Sequence, residues 1–549
     1  MNALRQAPAA ALRHPRSGAI IAGALAACGF QPLALWPLTL VALAWLVEIT
    51  ARAQSARRAF VLGWLFGMGH FTVGNNWIAT AFTYQAEMPQ WLGGIAVVLL
   101  SVYLAVFPAL ATLGAWLFAR WLGRRATAET GVLPGFALAF PAFWLLSEWI
   151  RSWLFTGFAW NPIAVAMLGG YEAQGLALLA PWIGTYALSG LVVAIACLLR
   201  ALVHAAMAGT GQRRAVPAAA ILAIAIGLGL LIHLPAGYLT PQQGAIRYTL
   251  IQPDLRQETL DDPRNFETHF LKMARLTIQK GRAGNVSDRR LVLWPESGLA
   301  DYLRDGYPPF LYRLMTYEAD PKLARERIGR VIGPYSVLLT GAVDVVIEDG
   351  DELAARNSVT MLDGNGDILA GYSKAHLVPY GEYLPMRYLL EPIGLTRLVA
   401  GQLDFWPGPG PRSYDLGALG KAGIQICYEI VFSAEVVDRG NRPDYIFNPS
   451  NDGWFGSWGP PQHLAQARLR AIEEGLPVLR STTTGISAVI DADGLVRKFL
   501  PRHTTGRLDG RIPPPHAATL FARTGNALPL ILAAIWLVAS AVALRRRTR

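Results

Sequence analysis

The apolar positions of this chain follow two different rules, and the change of rule divides it. From about residue 18 to about 236 they come in long, nearly unbroken runs. From about 240 to 525 they alternate or gather in short groups between turns, and one more long run follows. A helix needs roughly 20 consecutive apolar residues to span a hydrocarbon core. Candidate runs lie at about 17–30, 33–50, 59–82, 90–119, 133–154, 175–199, 216–236 and 527–544. The first two are separated only by Gln31-Pro32 and would form a tight hairpin. The pattern predicts an α-helical membrane bundle of about eight spans. Residues 1–237 would supply seven of them, 238–525 a domain outside the bilayer, and 526–549 the last helix with a basic tail.

Composition sharpens this picture. The chain is 53% hydrophobic and only 16% charged, too apolar for an ordinary soluble protein. The formal charge of +11 would otherwise point to a nucleic-acid partner. That partner is excluded, because many of the arginines sit in short loops between apolar runs, where they orient membrane helices. Arg5, Arg13 and Arg16 precede the first run, and Arg52, Arg57 and Arg58 follow the second. Arg120, Arg124 and Arg125 follow the fourth, Arg200, Arg213 and Arg214 the sixth, and Arg545, Arg546, Arg547 and Arg549 the eighth. The opposite loops carry almost none, so both ends are expected in the cytoplasm and the 238–525 domain on the other side. The three cysteines, Cys28, Cys197 and Cys427, offer neither a disulfide framework nor zinc-ligand spacing. No metal or organic cofactor is expected, and the default state is a monomer.

Polar groups inside spans are costly and draw attention. His70, Asn75, Asn76 and Trp77 cluster in the third run, and Glu148 and Arg151 are close enough on the fifth to pair across one helical turn. The plainer expectation for all of them is helix packing or placement at the membrane interface. Trp160 and Asn161 fall in a loop expected to face the outside domain.

Within 238–525, strands are predicted at Tyr248–Gln252, Arg290–Ser297, Ser336–Gly341, Ala355–Met361 and Tyr445–Asn448. Asp363-Gly364-Asn365-Gly366-Asp367 reads as a turn whose returning strand runs into Lys374. Gly423–Ile426 is an alternating strand that ends on Cys427. A helix over 461–475 and paired strands over 477–490 complete a mixed α/β sandwich. Three strands thus end on Glu296, Lys374 and Cys427. Each has a bland role available: a surface carboxylate, a solvated lysine, a small core thiol. Together they make a chemical set. A thiol with a reference pKa near 8.5 is mostly protonated at neutral pH. A carboxylate in reach can take its proton, and an ammonium can stabilise the thiolate and then an oxyanion. Glu382, eight residues after Lys374, would hold that lysine by a salt bridge.

The set resembles the nitrilase superfamily of carbon–nitrogen hydrolases. Trp294-Pro295-Glu296, then Lys374 with His376-Leu377-Val378-Pro379-Tyr380-Gly381-Glu382, then Cys427-Tyr428-Glu429 fall in family order. With the membrane runs added, the chain resembles the apolipoprotein N-acyltransferase family. Asn448–Gly456, Gln462-His463-Leu464 and Thr483–Ser487 are similar to it as well. The resemblance implies an αββα sandwich and a bacterial inner-membrane protein whose catalytic domain is periplasmic. It implies that Cys427 takes an sn-1 acyl chain from a phospholipid such as phosphatidylethanolamine, then passes it to the α-amine of a diacylglyceryl-cysteine on a lipoprotein. Glu296 would be the base and Lys374 the oxyanion stabiliser, with Glu382 in support. Tyr428 and Glu429 would shape the acyl or acceptor pocket, and for Tyr428 plain packing stands level with that role. The family's aromatic residue shortly after the first strand of the domain is missing from Gln252–Leu260.

A lipid substrate suits the rest of the domain. The segment 383–406 is apolar for a loop, with Leu384, Met386, Leu389, Leu390, Leu395, Leu398, Val399, Phe405 and Trp406. It reads as an arm dipping into the membrane interface, or as a helix packed on the domain. A membrane-tethered amidase or nitrilase could use the same triad with water as acceptor, yet a small polar substrate needs neither the arm nor the spans. A transporter would call for internally repeated or broken spans, and no convincing repeat is present.

Overall fold

The structure is a computed structural model that describes residues 14–84, 89–123, 133–236, 242–278, 289–348, 351–393 and 404–547. It divides into two compact units. One comprises 1–79, 91–237 and 519–549, the other 80–90 and 238–518.

The first unit is helical. Its main helices are Pro15–Ala27, Trp36–Ala51, Ala56–Gly74, Leu92–Leu104 continuing as Val106–Gly123, Leu133–Trp153, Ala180–Ala208, Gln212–His233 and Ala527–Arg547. They fall on the apolar runs of the sequence. Among the described residues, four are long and apolar enough to cross a membrane: Leu92–Leu122, Gly175–Ala208, Gln212–His233 and Ala527–Arg545. The helix Trp36–Ala51 is apolar but shorter. Where no water competes, helices pack through small residues that let backbones touch. Gly23 and Gly69 do this between Pro15–Ala27 and Ala56–Gly74. A Cβ on Gly23 would collide with the Phe66 carbonyl, and one on Gly69 with that of Ile20.

Several polar residues of this unit lie elsewhere than the sequence predicts. Arg200 belongs not to a loop but to the interior of Ala180–Ala208, where it donates to Glu48 Oε2 at 2.7 Å. Glu148 accepts from Trp144 Nε1 and Ile163 N, both at 2.9 Å, while Arg151 donates to the Trp160 carbonyl at 2.9 Å. Trp160 is fully buried, with its ring 4.6 Å from that of Trp77 in the same unit. His70 is ringed by Phe30, Phe66 and Phe71. These contacts lie within the helical unit. The third run is also not one helix. The α-helix stops at Gly74, and a 3-10 segment, Asn76–Tyr84, carries the chain into the second unit from Thr80 onward.

Among its described residues, the second unit is built on twelve strands. They are β1 (Arg247–Gln252), β2 (Leu291–Leu293), β3 (Val337–Glu348), β4 (Asp351–Asp363), β5 (Ile368–Ser373), β6 (Ser413–Asp415), β7 (Lys421–Ile424), β8 (Tyr445–Ser450), β9 (Val478–Thr482), β10 (Ser487–Ile490), β11 (Val496–Leu500) and β12 (Gly506–Arg511). They form two six-stranded sheets, ordered β12-β1-β2-β3-β4-β5 and β11-β10-β9-β8-β7-β6. In each, the central strands pair in parallel and the outer ones antiparallel. Parallel strands need both faces covered. One face of the first sheet carries the helices Phe266–Thr277 and Pro321–Ile332. There Phe270, Met273, Ala324 and Ile328 bury against Val292, Trp294, Leu338 and Leu362. Its other face meets the second sheet, where Ser481 Oγ donates to the Ile251 carbonyl at 2.8 Å. The helix Gly459–Glu474 covers the far side, with Arg468 bonded to Gly494 O at 2.8 Å. The order helix, sheet, sheet, helix is the αββα sandwich.

Candidate active site

The three predicted residues lie just past strand ends rather than on them. β2 stops at Leu293, three residues before Glu296. Bonds from Trp294 N to Leu339 O (3.0 Å) and from Gly341 N to Pro295 O (3.2 Å) keep that short segment on β3. The approach is so close that a Cβ at Gly341 would run into the Glu296 backbone. Lys374 follows the last residue of β5 and is 1% exposed. Cys427 opens a 3-10 turn, Cys427–Val431, three residues beyond the end of β7 at Ile424 and in left-handed backbone with φ +51°. A residue with a Cβ is held there only by surroundings that fix it.

These residues converge. Lys374 Nζ lies 3.0 Å from Glu382 and 3.6 Å from Glu296 Oε1. The salt bridge predicted for Glu382 is therefore present. Asn357 on β4, which sequence reasoning passed over, links the two carboxylates. Its Nδ2 donates to Glu296 Oε1 and to Glu382 Oε1, each at 2.8 Å. Glu382 Oε2 also accepts from Val378 N (2.7 Å), and Glu296 Oε2 from Asn451 N (2.6 Å). Asn357 offers no sequence signal beyond its being polar in a buried strand.

Charge follows from this enclosure. Burial alone would depress the Lys374 ammonium. The charges of Glu382 and Glu296 outweigh burial and hold Lys374 above the ordinary lysine range. Burial, and after it the charge of Glu296, pushes the Cys427 thiol well up, with Lys374 offsetting part of the rise. The resting nucleophile is thus a thiol beside a permanent cation, and its proton must leave as it attacks.

The residues after Cys427 differ in role. Tyr428 is 5% exposed and packs edge-on against Phe432, with centroids 5.1 Å apart. Glu429 is buried and bonded on all sides. Oε1 accepts from Tyr372 Oη (2.7 Å), Ala375 N (2.7 Å) and His376 N (3.2 Å), and Oε2 from Ile426 N (2.7 Å). It brackets the Lys374 loop to the Cys427 turn.

Behind the nucleophile lies a second buried cluster. His463 Nδ1 is 3.1 Å from Asp452 Oδ1, its Nε2 is 3.0 Å from the Cys427 carbonyl, and Arg480 holds both Asp452 and Asn448. Cys427 Sγ, an Asp452 oxygen and a His463 nitrogen lie within 4.8 Å of one another, a spacing a divalent cation could bridge. The donor set does not fit one. Arg480 already neutralises Asp452, and Lys374 already acts on the thiol.

Residues 22–198 match the family described as Apolipoprotein N-acyltransferase N-terminal domain, and residues 251–519 match Carbon-nitrogen hydrolase. The apolipoprotein N-acyltransferase of Rhodopseudomonas palustris is 35% identical over 545 residues, covering 96% of this chain and 95% of that protein. The chain belongs to the apolipoprotein N-acyltransferase family. The enzyme of that name from Bradyrhizobium diazoefficiens is 35% identical over 542 residues, covering 96% of this chain and 94% of that protein. Among solved structures, an amidase from Nesterenkonia sp. aligns with 50% of this chain and 93% of its own, at 18% identity and TM-score 0.33. Membership accounts for the pairing of a helical first unit with a carbon–nitrogen hydrolase sandwich in one membrane enzyme. The Asp452, His463 and Arg480 cluster lies in stretches similar to apolipoprotein N-acyltransferases, but no chemical role for it was legible from residue type.

Proposed function

We propose that this enzyme N-acylates the amino-terminal diacylglyceryl-cysteine of lipoproteins, using a phospholipid as acyl donor. The observation that carries the mechanism is the enclosure of one buried cation, Lys374, by Glu296 and Glu382 beside a buried thiol. Glu296 takes the Cys427 proton as sulfur attacks the sn-1 carbonyl. Lys374 stabilises the oxyanion, where a fixed donor is worth most because no solvent has to reorganise. The C–O bond breaks, Glu296 returns the proton to the glycerol oxygen, and a lysophospholipid leaves. The lipoprotein amine then attacks the thioester, Glu296 takes a proton from its nitrogen, the C–S bond breaks and the thiol regains its proton. Glu382 and Asn357 fix Lys374 and Glu296, while Glu429 and Tyr428 shape the turn that carries the nucleophile.

The donor is phosphatidylethanolamine in this scheme, the setting is the bacterial inner membrane, and the catalytic domain is periplasmic with both termini cytoplasmic. The apolar arm supports a lipid substrate. Met386, Tyr388 and Leu389 are all more than half exposed, an uncommon state for three such side chains within four residues. The part of the arm at 394–403 lies outside the described residues.

Mixing purified enzyme with phosphatidylethanolamine and a synthetic diacylated lipopeptide bearing a free α-amine tests this function. N-acylated lipopeptide and lysophospholipid should form in equal amounts. Release of free fatty acid with no acylated lipopeptide would instead favour hydrolysis.

A further inference from the structure

The nucleophile sits in a backbone conformation that costs energy for any residue with a side chain, so something must hold it. The holder is visible in the hydrogen bonds around its carbonyl. That oxygen can only accept, and His463 Nε2 lies 3.0 Å from it, so Nε2 carries a proton. The other nitrogen, Nδ1, stands 3.1 Å from both Asp452 Oδ1 and Arg480 Nη2. Neutral, the ring accepts from Arg480 there; charged, it donates to Asp452. The bond to Cys427 is the same in both states. The ring is completely buried, grows from the second turn of the helix Gly459–Glu474, and is flanked edge-on by Phe455 at 5.6 Å. It has one orientation.

Asp452 anchors the far side of the same arrangement. It accepts from Ser450 Oγ at 2.7 Å. Asn448 Nδ2 adds a weaker contact to the Cys427 carbonyl at 3.4 Å. The carbonyl of the nucleophile is therefore gripped by one buried cluster in which Arg480 balances Asp452.

We propose that His463 is a positioning residue, whose Nε2–H holds the Cys427 carbonyl and so keeps the left-handed turn that aims the thiol between Glu296 and Lys374. The inference rests on the proposed role of Cys427 as acyl carrier, and its test separates the two. A glutamine can place an amide N–H where Nε2 stands. An asparagine places one where Nδ1 stands and cannot reach the carbonyl. A role in packing or in tying Asp452 would favour asparagine or treat the two alike.

The rate of single-turnover acylation by phosphatidylethanolamine is measured on the folded fraction of His463→Gln and His463→Asn, alongside site-resolved alkylation of Cys427 by iodoacetamide. We expect His463→Gln within about threefold of wild type and His463→Asn slower by about thirtyfold or more, with the donor KM unchanged, as misplacement of a reacting group requires. Alkylation should follow the same order. His463→Asn reacting as fast as His463→Gln would overturn the proposal. If wild type forms no thioester, the acyl-carrier role fails while the alkylation contrast still decides the position of His463. Should neither variant fold, Phe455→Leu loosens the ring. It should slow alkylation about threefold or more, and an unchanged rate would overturn the proposal.

Discussion

At the scale of single residues, the site depends on how closely main chain can approach main chain. Glu296 is not delivered by its own strand, which ends three residues earlier, but by contact with Gly341 on the neighbouring one. An alanine there must push the Glu296 backbone away, and a shift of about 1 Å at a reacting group can cost roughly a hundredfold in rate. We expect Gly341→Ala to slow acylation by about 10- to 100-fold with the donor KM unchanged, checked by single-turnover kinetics beside a melting curve. A loss of activity no greater than the loss of folded protein would contradict this origin for the Glu296 position. The three proposed chemical residues stood out in the sequence because each is reactive and each follows an apolar strand. Gly341 and Asn357 were not legible, because a glycine or an asparagine in a strand carries no mark of what it will face across the sheet.

At the scale of elements, the sequence predicts the sheet cores well and the connections poorly. The strands around Leu250, Leu338, Ile424 and Phe447 follow from short apolar groups. The long antiparallel hairpin of β3 and β4 does not, because polar Asp344, Arg356 and Asn357 break its alternation. The 3-10 segment Asn76–Tyr84 was read as part of a span for the same kind of reason: hydropathy counts apolar residues and cannot see where a helix stops. The helix Gly459–Glu474 carries a measurable consequence of burial at its C-terminal end. Burial, and after it the neighbouring charge of Glu473, pushes the Glu474 carboxyl up to about 7. Between the ordinary glutamate value and that point the folded chain binds more protons than the unfolded one, so stability falls as pH rises. Glu474→Gln should remove that slope and raise the melting temperature at pH 8 relative to wild type, with little difference at pH 4. Parallel melting curves for the two proteins from pH 4 to 8 would contradict the assignment.

At the scale of the whole molecule, one chain joins apolar helices to an αββα sandwich in which Cys427, Lys374 and Glu382 are buried and Glu296 is partly so. The long apolar runs revealed the first part from hydropathy alone, since nothing but a bilayer rewards so many in succession. The second part was legible through motif order rather than periodicity, because parallel strands buried on both faces lack a strict alternation. Such burial makes chemical sense if a thioester has to outlast the exchange of one lipid for another, since water would otherwise take the acyl group. The most direct measurement is the intact mass of purified enzyme after incubation with phosphatidylethanolamine, with Cys427→Ala beside it. An added acyl mass that hydroxylamine removes, present in wild type and absent from Cys427→Ala, is the predicted result. Folded wild-type protein without the adduct in excess lipid, or an equal adduct on Cys427→Ala, would contradict it.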